Sequence, residues 1–288
     1  MANVKFRIGG VPEHFNFPWR LAHSSLGFKP NGVDFEWKDY YGGTGYLRED
    51  LHNGTLDLAV MLTEGAVADI NAQPGLRIVA QYVASPLRWG VHVHAGHGPA
   101  SPDHLIDFPF AISRYGSGSH LMAFVYAQQK GWNPQDLQFV EVANLDGARK
   151  ALAANEATTF LWEKFTTKPV VDSGEWRRID ICETPWPSFV VVGREDRLKE
   201  HPDAVSHLLE HMRDYLALPQ DQIIQLIHDD LGLQKEDLQR WISQTSWDCR
   251  PIMAAETLES TQKTLQALGQ VSRSLSPADY VGPFTEVQ

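Results

Sequence analysis

Four short runs in this chain set small or hydroxyl residues directly before an amphipathic stretch. They are GGVPEHFNFPW, DYYGGTGYLRED, MLTEGAVAD and RYGSGSH, and each follows a short apolar segment with strand character. A helix that opens this way presents unpaired backbone N–H groups and the positive end of its dipole, so the chemistry on offer is anion binding. Ser117, Gly118 and Ser119 fall where the first free N–H groups of such a helix would point. Thr44, preceded by Gly43, has the type of a natural N-cap. Thr63, Glu64 and Gly65 precede another helix, and Pro12, Glu13, His14 and Asn16 surround the start of the first. One such junction is ordinary capping. Four at equivalent strand ends, with Trp19, Tyr40, Tyr41 and Tyr115 beside them, predict a ligand pocket walled by aromatic rings.

A second group of residues lies further along. Trp162 and Glu163 stand where a strand ends, and Trp186 sits in Thr184-Pro185-Trp186-Pro187-Ser188, just before another strand. The two indoles suit stacking on a planar or apolar ligand portion, and Glu64 and Glu163 suit a ligand amine or hydroxyl. His92, His94 and His97 have imidazole chemistry, but carboxylates and thiols are sparse around them, and Gly96, Gly98 and Pro99 suggest a loose exposed loop. No metal site and no cofactor is expected. Neither G-x-S-x-G nor a phosphate loop ending in Gly-Lys-Ser/Thr occurs. Nothing in the sequence pairs Ser117 or Ser119 with a base, so no catalytic residue is assigned.

The elements that must position these groups alternate between strand and helix, the pattern of an α/β protein with largely parallel sheets. Strands are predicted at 4–8, 33–37, 56–60 and 76–82, with helices at 17–26, 44–52 and 66–71. Two extended stretches, 87–94 and 189–192, are long enough to cross between lobes. Between them lies a second set, with strands near 110–113, 137–142, 159–162 and 177–181 and helices at 119–130 and 145–154. After 192 the pattern turns helical, with Val205, Leu208, Leu209, Met212 and Leu216 close to helical spacing. The expected architecture is two hinged lobes, one made of 1–89 plus 192–288 and an inserted one of 90–191. Strand ends that carry ligand groups would then face each other across a cleft.

Composition bounds the partners. The 288 residues carry a net charge of -11, with 43% apolar and 21% charged residues. Those are globular values, and the acidity argues against nucleic acid, whose phosphates call for clustered Lys and Arg. No apolar run reaches the roughly 20 residues of a membrane span, so no direct membrane insertion is expected. The only cysteines, Cys182 and Cys249, fit neither a zinc nor a redox spacing and are expected to be buried thiols. MANVKFRIGG runs straight into a strand without a basic n-region or an apolar h-region. As written, the chain is expected in the cytoplasm, and in the periplasm if a leader was removed.

Four segments, FPFAISRYGSGSHLMA, VVVGREDRLKEHPDAVSHLLEHM, LHNGTLDLAVMLTEGAVADI and FLWEKFTTKPVVDSG, carry a resemblance. The chain resembles the type II periplasmic-binding-protein fold, specifically the substrate-binding subunits of transporters for sulfonates, taurine, nitrate and thiamine-pyrimidine precursors. The resemblance covers nearly the whole chain. It implies ligand-facing positions around 12–16, 43–44, 63–65, 117–119 and 162–163 and at Trp186. It also implies a small-molecule ligand and, as a partner, a transporter membrane subunit. The expected function is a non-catalytic binder that closes two lobes over an anionic or zwitterionic solute. Two alternatives stand beside it. One is a cytoplasmic enzyme of the same fold related to fungal thiamine-pyrimidine synthases, using His14, Glu64 and Glu163, although the cysteine-rich run of those enzymes is absent. The other is a ligand sensor.

Overall fold

Phe6 and Ile8 are buried and alternate with exposed Lys5 and Arg7, the period-2 pattern of a strand with one covered face. They belong to β1 (Val4–Gly10) of the computed structural model, which describes residues 4–24 and 32–288. In chain order there follow α1 (Phe17–Ser24), β2 (Val33–Asp39), α2 (Thr44–His52), β3 (Leu58–Leu62), α3 (Thr63–Ala72) and β4 (Leu76–His94). Next come β5 (Phe110–Ile112), α4 (Gly118–Lys130), β6 (Phe139–Glu141), α5 (Leu145–Ala153), β7 (Thr159–Glu163), α6 (Lys168–Asp172) and β8 (Trp176–Arg194). The remainder is mostly helical: α7 (Glu195–Glu200), α8 (Pro202–Leu216), α9 (Gln220–Leu231), α10 (Lys235–Ile242), β9 (Ile252–Met253), α11 (Ala255–Ala267) and β10 (Glu286–Val287). The predicted end of the first helix at Leu26 lies outside the described residues.

The chain divides into two units, Met1–Ser85 with Trp186–Gln288, and Pro86–Pro185. In the first, the strand order is β2-β1-β3-β8. β1 runs parallel to β2 and β3, with Gly9 beside Ala59, and β8 returns antiparallel to β3, with Leu62 beside Phe189. Leu58, Ala59, Val60 and Met61 are all buried, as befits a strand covered on both faces. Behind the sheet edge, Asp69 of α3 is fully buried and receives Arg48 and His52 of α2. That clamp holds the two helices side by side and brings their N-termini together.

In the second unit the order is β4-β7-β5-β6, with β7 antiparallel to β4 and β5 parallel to both β7 and β6. Ala111, Leu152, Phe160 and Trp176 lie in one core cluster there. α4 is delimited by its ends: Ser117 caps the start, and Gly131 at φ 72 closes the finish in the left-handed conformation.

Two sequence expectations need correction. Residues 76–82 and 87–94, predicted as separate strands, form one 19-residue β4 through Ser85-Pro86, and 177–181 and 189–192 join in one 19-residue β8 through Pro185 and Pro187. Proline fixes an extended φ and loses only its own N–H, so it does not break a strand where that donor is not needed.

Candidate functional site

In the first unit the relevant residues follow the carboxyl ends of β1 and β3. After β1 the chain turns through Pro12 and Glu13, both half-buried, into a short 3-10 turn at His14–Asn16. Asn16 is buried, and its Nδ2 donates to the Val11 carbonyl at 2.9 Å. Gly10 is required at that spot: a Cβ there would lie 2.7 Å from Asn16 Nδ2 and 2.5 Å from the Trp37 ring. His14 is buried against Phe15 and edge-on to Trp241, at ring-centroid distances of 4.6 and 4.5 Å. Burial disfavours its charged form and pulls it down to about 3.

After β3, α3 opens directly with Thr63 and Glu64, both buried. Because β8 pairs Phe189 with Leu62, Trp186 continues past the end of β3, and its indole N–H donates to Glu64 Oε2 at 2.7 Å. The second carboxylate oxygen, Glu64 Oε1, is buried without a hydrogen-bond partner, as are Thr63 Oγ1 and Asn16 Oδ1. Desolvation, only partly offset by the hydrogen bonds to Glu64's own backbone and to Trp186, pushes the Glu64 carboxyl up to about 7. Thr44 leans on the same helix start, since a Cβ on Gly65 would sit 2.6 Å from its methyl carbon. Thr44 is not the cap expected from its type. It is the first helical residue, and Gly43, at φ 68, stands at the cap with no side chain to offer.

Trp19 does not join this group. It is fully buried in the aromatic core, edge-on to Phe35 and stacked on Trp37. The prediction missed a supporting element, the Asp69–Arg48–His52 clamp. The i, i+4 spacing of Arg48 and His52 on one helix face was its available signal.

In the second unit, Ser117 caps α4, with its Oγ accepting from the N–H groups of Arg114 and His120, each at 3.4 Å. Ser119 Oγ accepts from Ser113 N–H at 2.9 Å and lies 3.1 Å from Ser117 Oγ. These hydroxyls are thus engaged with backbone donors and with each other. Gly118 is the first helical residue between them. His120, inside the quoted RYGSGSH run but not singled out, closes the turn by accepting Gly116 N–H on Nδ1 at 3.1 Å, and burial lowers its pKa. Tyr115 stands 62% exposed with its ring edge-on to His120.

Glu163 is buried at the end of β7 and turns back on its own loop. Its Oε2 accepts from Phe165 N–H, Thr166 N–H and Thr166 Oγ1 at 2.9, 2.7 and 2.9 Å. Desolvation nevertheless outweighs those bonds and raises its pKa. Trp162 stacks on Phe160 at 5.2 Å and packs against the unit's core cluster. His92 lies on β4, within the extended stretch predicted for it, and is fully buried, with Nδ1 by the Phe160 carbonyl and Nε2 by Thr167 Oγ1. Among the described residues, no group of three or more His, Cys, Asp or Glu could hold a metal ion. Cys182 and Cys249 are buried free thiols, each raised by burial to about 12. Two concavities of the first unit lie elsewhere. One of about 580 Å³ is lined by Arg20, Trp37 and Asp230, and one of about 480 Å³ by Arg213, Trp247 and Arg250.

Comparison with solved structures decides the fold. The conserved Candida albicans CA3427 gene product, described as having the generic periplasmic binding protein fold, superposes with a TM-score of 0.87 at 26% identity, over 99% of this chain and 97% of its own. The fold is that of the type II periplasmic binding proteins. A family model described as Ca3427-like PBP matches residues 100–182, most of the second unit. The alkanesulfonate-binding protein SsuA from Xanthomonas axonopodis pv. citri, bound to MOPS, matches with a TM-score of 0.80 at 15% identity, over 98% of this chain and 99% of that one. The periplasmic nitrate-binding protein NrtA from Synechocystis PCC 6803 matches with a TM-score of 0.71 at 14% identity, over 98% and 86%. No curated protein matches the sequence. Among the described residues, no helix of this periplasmic-binding-protein fold is long and apolar enough to cross a membrane.

Proposed function

We propose that this chain is a non-catalytic binder of a small anionic or zwitterionic solute. One observation carries the reading: Asn16, Thr63 and Glu64, gathered after β1 and β3, each keep a buried polar atom without a partner. Natural proteins pair such atoms nearly always, because leaving one unmade costs about 1–3 kcal/mol. Where several cluster at the carboxyl edge of a parallel sheet, a ligand is the usual partner. The anionic half of the proposal draws on the capped start of α4 and on the sulfonate- and nitrate-binding proteins of the same fold. The engaged state of Ser117 and Ser119 supports hydrogen bonding over nucleophilic attack. A transporter membrane subunit is the partner this reading adds.

Thermal-shift screening against sulfonates, carboxylates, amino acids and a cell extract tests it. A ligand at a hundred times its Kd adds about 2.7 kcal/mol, which raises Tm by several degrees. An unmoved Tm across the panel and the extract refutes the proposal. A second reading, an enzyme on this fold, is favoured by the Glu64 carboxyl at about 7, a value suited to proton transfer at neutral pH. Mass spectrometry of the ligand before and after incubation separates the two, since a binder returns it unchanged.

A further inference from the structure

The hydrogen-bonding polarity of the first unit's edge is fixed by its built-in partners. The Val11 carbonyl can only accept, so the Asn16 amide must turn its nitrogen toward it, and the unpartnered Oδ1 is an acceptor. The Trp186 indole can only donate, so Glu64 Oε2 is an acceptor already in use, and Oε1 is the oxygen left over. The Thr63 hydroxyl can either give or take.

These atoms follow neighbouring strand ends. Strands β1 and β3 are hydrogen-bonded neighbours about 4.8 Å apart. Asn16 is tied back to the first residue beyond β1, and Thr63 and Glu64 are the first two beyond β3. Among the described residues Glu64's side-chain partner is the neutral Trp186 indole, while Arg48 and His52 of α2 are taken by Asp69, further along α3.

We infer that this edge reads a hydrogen-bond-donating nitrogen on the solute, an amine or a guanidine, through Asn16 Oδ1 and Glu64 Oε1, with Thr63 Oγ1 as a third partner. The inference rests on the binder reading and narrows it. A solute made only of acceptors, such as a bare sulfonate, leaves Asn16 Oδ1 unpaired and is repelled wherever Glu64 is ionised. A solute with an N–H donor answers both. The edge therefore selects zwitterions over simple anions.

Matched pairs test this by calorimetry: 2-aminoethanesulfonate against ethanesulfonate, 3-aminopropanoate against propanoate, and guanidinoacetate against acetate. In at least one pair the nitrogen-bearing member should bind ten-fold or more tightly. Glu64→Gln, which keeps an oxygen for Trp186, should remove most of that preference, weakening the nitrogen-bearing member and binding the simple anion at least as tightly. Thr63→Val, near-isosteric, should lower the preference about threefold, and an unchanged melting curve for each variant shows that it is folded. Equal binding within every pair, or a preference that survives Glu64→Gln, overturns the inference alone. So does native mass spectrometry that finds an extract-derived solute with no N–H donor. Failure of every panel compound and of the extract to bind removes the binder reading, and this inference with it.

Discussion

Glu64 and Glu163 are 2% and 3% exposed, each at the end of a strand in its own unit, and their surroundings are opposite. Glu163 spends one oxygen on three donors of its own loop, so its burial is a structural tie between β7 and the turn that follows. Glu64 takes its own backbone N–H and one indole from another element, and Oε1 keeps no partner. Burial alone therefore does not mark a site. What distinguishes the two acids is how much of their hydrogen-bonding capacity the fold itself consumes.

The largest effect should come from His14, which shares Glu64's condition as a titratable group buried at the edge of the first unit. Its folded value of about 3 lies below the ordinary 6.5, so the stability it permits is complete above pH 6.5 and is lost as pH falls toward 3. The loss amounts to about 5 kcal/mol. Urea unfolding across that range should show His14→Gln with a much flatter acid limb than the parent chain. Measured the same way, Glu163→Ala removes the acceptor of three hydrogen bonds and should cost about 4 kcal/mol at acid pH, and less as pH rises, because burial raises the Glu163 pKa and the parent loses stability as that carboxyl ionises. If it costs less than 1 kcal/mol at acid pH, the tie in the second unit is not structural and the contrast collapses.

Glu64→Gln should have the opposite sign. The Glu64 carboxyl at about 7 lies above its ordinary 4.5, so the parent chain loses stability as pH rises from 4.5 to 7, by about 3 kcal/mol. At pH 8 the Gln variant should be the more stable protein, and at pH 4 the two should coincide. A Gln variant no more stable than its parent at pH 8 would put Glu64 in the same class as Glu163, a structural tie. Smallest is Ser117→Ala, which removes the α4 cap and should cost about 1 kcal/mol, with the melting curve as readout.

Much of this arrangement was legible in the residues. The alternation of strand and helix, the helix starts near Thr63 and Ser117, and the interest of Glu64 and Trp186 all follow from local type and spacing. The bond between Glu64 and Trp186 was not, because it joins positions 122 residues apart through the pairing of β3 with β8. Aromatic rings misled for a related reason. Trp19 lies near a strand end in sequence, yet whether an indole faces a core or a ligand depends on which side of its element packs, and a local pattern does not carry that. His92 shows the same gap: the extended stretch 87–94 was legible, but not that β4 buries His92 completely just before the turn at Gly96 and Gly98.

The division of the chain also sets an order of birth on the ribosome. Pro86–Pro185 emerges as one uninterrupted block and has all its own strand partners by the time Pro185 is made. The first unit does not: β3 finds its β8 partner only after that block is complete, and its helical half, ending at Gln288, needs on the order of 5–20 s more of synthesis. During that interval the Leu-Ala-Val-Met-Leu edge of β3 is an apolar template for any passing chain. The hazard of aggregation is thus concentrated in the nascent polypeptide, and overproduction at low temperature or with a holdase chaperone should improve yield more than any change to the folded surface.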